Sequence, residues 1–121
     1  MTLKMLELED LVANALIELI EDKGIRQVSF KQLDLYKKSL YDEFKKINIR
    51  VVIPFTDGDV DRLISIYDDF FEEEIINERR YITLKDNKNE LDLRKYFRSY
   101  LPLNIIKVFY DTKTTKCLFE N

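Results

Sequence analysis

Apolar residues recur at three- and four-residue spacing along most of this chain, and the pattern predicts four helices with short strands among them. Leu3 to Lys23 is the first helix. Met5, Leu8, Val12, Leu16, Leu19 and Ile20 form its apolar face, and Leu11, Ala13, Ala15 and Ile17 widen it beyond one stripe. Such a helix belongs at the centre of a core. Gly24 supplies the left-handed residue that ends it, with Lys23 in the last turn. Ser29 to Ile47 is the second helix. Ser29 and Gln32 have the spacing of a capping box, and Val28 and Leu33 stand at the positions of a hydrophobic staple. Leu33, Tyr36, Leu40, Phe44 and Ile47 give its buried face, while Asp34 with Lys38 and Asp42 with Lys46 are four-residue ion pairs on the other side.

The third helical pattern lies in Thr56 to Glu78. Val60, Leu63, Ile64, Tyr67, Phe70, Phe71 and Ile75 share one face, and Asp61, Ser65, Asp68, Asp69, Glu72 and Glu73 the other. Thr56 and Asp59 read as a variant capping box, and acids suit that end of the helix dipole. Glu72, Glu73, Glu74 and Glu78 crowd the opposite end, where like charges four residues apart cost about 0.2–0.5 kcal/mol each. Local helix stability therefore accounts for the first turn and not for the last.

Ile49 to Phe55 is rich in branched residues and reads as a strand, with Pro54 at its end or on an edge. Arg80 to Lys85 is a second strand. Asp86 to Asn89 turns, and an asparagine caps a short helix over Glu90 to Leu101, stopped by Pro102. Ile105 to Tyr110 is a third strand, and Lys116 to Phe119 returns as a terminal hairpin. The order implies one α+β domain over residues 1–121, with about four helices on a small, mostly antiparallel sheet.

Composition narrows the chemistry. With 121 residues, 45% hydrophobic and 36% charged, the chain can build a core without disulfides or a metal. It carries no run long enough to span a membrane and opens on no signal sequence, so a cytoplasmic location without membrane contact is expected. The lone Cys117 rules out an internal disulfide and any multi-cysteine zinc site. There is no histidine, which removes Ser-His-Asp and Cys-His catalysis and histidine metal sites. Gly24 and Gly58 are the only glycines, so no phosphate-cradling loop exists. No catalytic residue and no cofactor are implied.

Charge is segregated beneath a net of −3. Residues 1–23 hold two cations against six acids, 24–50 seven against three, 51–78 one against nine, and 79–121 ten against five. Three constellations follow. Asp57, Asp59, Asp61 and Asp68 match carboxylate positions of a calcium loop, but Arg62 replaces its obligatory glycine and Asp68 its final Glu. A capped helix start explains these aspartates better. The acidic face, with Asp61, Asp68, Asp69, Glu72 and Glu73 flanked by Tyr67 and Phe70 as rim anchors, suits a protein with a basic surface. The basic residues Arg94, Lys95 and Arg98 alternate with aromatic rings, which suits nucleic acid.

A second nucleic-acid reading places a break near Lys37 to Ser39. The two short helices on either side, with the strands after them, resemble a winged-helix arrangement in layout. That resemblance implies that Lys37, Lys38, Lys45, Lys46 and Arg50 face phosphates. The leading expectation is a small non-enzymatic protein that binds and modulates a macromolecular partner, as an inhibitor or accessory subunit. A nucleic-acid binder is the alternative, and self-association stays open.

Overall fold

The computed structural model of the protein describes residues 2–53 and 56–98. The apolar spacing at the start of the chain divides into two elements. Thr2–Met5 form strand β1, and helix α1 runs over Leu8–Lys23. Alternation of Leu3 and Met5 serves a strand as well as a helix, and β1 finds a partner far along the chain. It pairs in parallel with β3 (Ile49–Val52), Thr2 opposite Ile49 and Met5 opposite Val52, and the Leu6 amide continues the ladder to the Val52 carbonyl at 2.9 Å. α1 is the core helix its composition predicts, buried at every position from Leu11 to Leu19. Gly24 ends it at φ 68°, its amide donating to the Ile20 carbonyl at 2.9 Å.

A short strand β2 (Gln27–Ser29) precedes helix α2 (Phe30–Lys46). Both halves of the capping box form. The Gln32 amide donates to Ser29 Oγ at 3.0 Å, and the Ser29 amide to Gln32 Oε1 at 2.7 Å. Val28 and Leu33, the staple pair, are both buried. α2 is continuous through Lys37 to Ser39, so the break that a winged-helix layout needs does not occur: Leu33, Tyr36, Leu40 and Phe44 keep one unbroken buried face. Lys38 pairs with Asp34 at 3.2 Å as the spacing predicts. Lys46 takes Glu43 at 2.8 Å rather than Asp42. Ile47 lies past the last turn and is exposed, and Asn48 at φ 63° swings the chain into β3.

The largest correction concerns Thr56 to Glu78. Helix α3 covers only Asp57–Ile66, followed by a turn, strand β4 (Phe71–Ile76) and strand β5 (Arg79–Leu84). Glu72, Glu73 and Glu74 therefore sit on a strand, and the conflict with a helix dipole disappears. Pairing with β5 outweighs the weak strand preference of three glutamates, because Phe71 stands opposite Leu84 and both are buried. Asn77 and Glu78, at φ 50° and 66°, form the two-residue turn, the type I′ pattern that matches strand twist. β5 is the middle strand of an antiparallel sheet ordered β2-β5-β4.

Helix α4 (Glu90–Tyr96) completes the described chain. Asn89 caps it by accepting from the Leu91 and Asp92 amides at 2.9 and 3.2 Å. It ends at Phe97, earlier than Pro102 predicts. Four helices on a small antiparallel sheet, with the parallel β1–β3 pair beside it, make an α+β fold. Among the described residues, no helix is long and apolar enough to cross a membrane. Pro54, Leu101, Pro102, Cys117 and the strands expected at Ile105 to Tyr110 and Lys116 to Phe119 lie outside the described residues.

Candidate interaction surface

Thr56 caps α3 by accepting from the Asp59 amide at 3.1 Å, and its hydroxyl donates to Asp59 Oδ2 at 2.9 Å. Asp57, Asp59 and Asp61 are thus in the first turns of a helix, and Asp68 lies beyond its end. Among the described residues, no group of three or more acids or cysteines is arranged to hold a metal ion.

The sequence-predicted acids divide into three sets. Asp61 of α3 and Glu73 of β4 converge on Arg80 of β5, which bonds Glu73 at 2.6 Å and also pairs with Asp61. The hydrogen bond to Glu73, and then that to Asp61, hold the guanidinium still more firmly protonated. Arg80 also lies over the Phe30 ring, 4.4 Å from its centroid. Asp68 and Asp69 stand exposed in the turn before β4. Glu72 is exposed on the opposite sheet face from Glu73, because side chains alternate along a strand. These residues lie on a helix, a turn and a strand, not on one helical face.

Of the two expected anchors, Phe70 belongs to the core and Tyr67 is half-buried. Phe70 is only 7% exposed and packs against Phe71, Tyr96 and Phe97, with centroids 5.5–6.0 Å apart. Tyr67 is half-buried, 5.2 Å from the Phe97 ring, and donates to Glu9 Oε2 at 3.1 Å. Partial burial, then that bond, push its phenol up from the usual value. Ile75 of β4 is 67% exposed, opposite Arg80, and Ile66 at the end of α3 is 63% exposed. Helical spacing places Ile75 on the apolar face of α3, but α3 ends at Ile66 and Ile75 lies on β4.

The basic candidates are largely engaged. Lys37 and Lys38 both pair with Asp34, Lys46 with Glu43, and Arg94 with Glu21, whose carboxyl is held below its usual range by that bond. Arg98 is held by its backbone: its amide donates to Asp10 Oδ1 at 2.9 Å and its carbonyl accepts from Asn14 Nδ2 at 2.6 Å. Phe97 is buried and serves the core, whereas Tyr96 packs edge-on to Phe70 and stays 61% exposed. Lys45 and Arg50 flank a cavity between α2 and β3, and Lys95 is exposed over Tyr96. Charge blocks that are separate in sequence therefore meet in space at Arg80 and Arg94.

One polar feature escaped sequence analysis. Asp10, Asn14 and Glu18 form a buried stripe at four-residue spacing along α1. Burial raises the Asp10 carboxyl, while the Arg98 amide pulls it down. The spacing was visible, but it was hidden among the surrounding leucines. Compared with known protein families, curated proteins and solved structures, the chain matches none.

Proposed function

We propose that this is a non-enzymatic interaction protein that binds a protein partner with a basic surface, as an inhibitor or accessory subunit, along the edge from Asp68 through β4. The supporting observation is the character of β4. Among the described residues it pairs only with β5, and it presents Glu72 and the exposed Ile75 beside Asp68 and Asp69. An extended partner segment would add to the open edge through main-chain hydrogen bonds, with Ile75 as apolar contact and the acids selecting Lys or Arg. Charges on an edge strand also deter self-pairing, so the reading needs a test that separates the two.

That test is affinity recovery from the native host with wild type and with D68K/D69K/E72K, which leaves the Arg80 cluster intact. The proposal expects a basic protein to be recovered with wild type and lost with the variant, their circular dichroism being equal. Equal recovery overturns it. The nucleic-acid alternative rests on Lys45, Arg50, Lys95 and Arg98, since four of its eight cations already hold carboxylates. It requires labelled DNA to shift at low salt and to be released steeply as salt rises.

A further inference from the structure

We propose a small-molecule site that goes beyond this reading: the cavity between the C-terminal half of α2 and β3 binds an organic carboxylate with an apolar body. The cavity measures about 410 Å³ and is lined by Tyr41, Lys45, Ile49, Arg50, Val51 and Val52. That volume lies in the range of small-molecule pockets and corresponds to roughly a dozen waters. Its lining has two chemically distinct parts. The Tyr41 ring and the three branched side chains offer an apolar wall, while Lys45 and Arg50 are exposed cations.

Those two cations differ from four other basic residues of α2 and β5. Lys37, Lys38, Lys46 and Arg80 each hold a carboxylate of this chain. Among the described residues Lys45 and Arg50 make no ion pair, and both line the cavity. Two full positive charges outweigh the partial negative charge at the α2 C-terminus, so the site favours an anion. Tyr41 adds a directional group. The Ile53 amide donates to Tyr41 Oη at 3.4 Å, which leaves the hydroxyl hydrogen available to a ligand oxygen. Cations and a hydroxyl select the carboxylate. The apolar wall selects the body attached to it, since small-molecule sites combine an apolar lining with a few polar groups that fix orientation.

The test is a titration of the full chain, followed by amide chemical shifts, with three probes: 4-phenylbutyrate, the neutral 4-phenylbutan-1-ol, and acetate. The proposal expects phenylbutyrate to move the amides of Tyr41, Lys45 and Ile49 to Val52 together. The alcohol should bind about tenfold more weakly and acetate should leave the cluster unmoved. K45A/R50A changes exposed side chains and should reduce phenylbutyrate affinity at least about tenfold while leaving alcohol binding unchanged. Equal binding of acid and alcohol to wild type overturns the carboxylate assignment whatever the variant does. Shifts scattered over the surface, or none up to about 10 mM phenylbutyrate, overturn the site itself.

Discussion

Arg80→Met tests whether the clamp between α3 and the β4–β5 hairpin contributes to stability. Methionine keeps an unbranched stem against Phe30 and removes the charge. Two ion pairs are lost, to Glu73 and Asp61, on side chains that are about a third to a half exposed. Exposed pairs contribute about 0.2–1 kcal/mol each, and the cation over Phe30 about 0.5–1 kcal/mol. The sum is about 1–3 kcal/mol, near the upper end if Asp61 and Glu73 then repel one another. Urea denaturation followed by far-UV circular dichroism measures it, the midpoint falling at constant slope. Double-mutant cycles with Asp61→Asn and Glu73→Gln should each give a coupling of about 0.5 kcal/mol or more that shrinks in high salt. A change below about 0.3 kcal/mol, or a coupling insensitive to salt, would refute the electrostatic account of this contact.

Two other substitutions probe the backbone and the buried carboxyl. Glu78→Gly should stabilise the protein by about 0.5–1 kcal/mol, since a non-glycine residue at φ 66° is strained and Asn-Gly is the preferred type I′ pair; a lower melting midpoint contradicts this. Asp10 is held above its ordinary value, so the native state binds the extra proton and this group's contribution falls as pH rises from the usual aspartate range through the raised value. Asp10→Asn keeps an acceptor for the Arg98 amide and should flatten that part of the stability–pH profile without loss at neutral pH; an unchanged profile rules it out.

Features fixed by neighbours in sequence were legible. Ser29 with Gln32, Gly24 and Asn89 each act within four residues, and each forms as read. What was not legible depends on remote partners. Leu3 and Met5 continue the α1 spacing, and only Ile49–Val52 makes them a strand. Tyr67, Phe70 and Phe71 continue the α3 spacing equally well. Their rings in fact meet Phe97, and the turn at Asn77 and Glu78 lacks the glycine that marks most such hairpins. The acids survived as a surface feature while their arrangement changed. Ile75, the residue that gives the edge an apolar contact, came into view only with the strand.

The pairing of β1 with β3 and of β2 with β5 has a consequence during synthesis. α1 emerges from the ribosome before anything that covers it, because β3, α3, β5 and α4 all follow. Between Lys23 and Phe97 lie roughly seventy residues, which take on the order of 4–15 s to translate. For that interval a helix whose middle, Leu11 to Ile20, is apolar except for Asn14 and Glu18 is open to chaperones and to neighbouring nascent chains. The buried polar stripe thus has a second effect: it lowers the stickiness of this helix before its partners have been made.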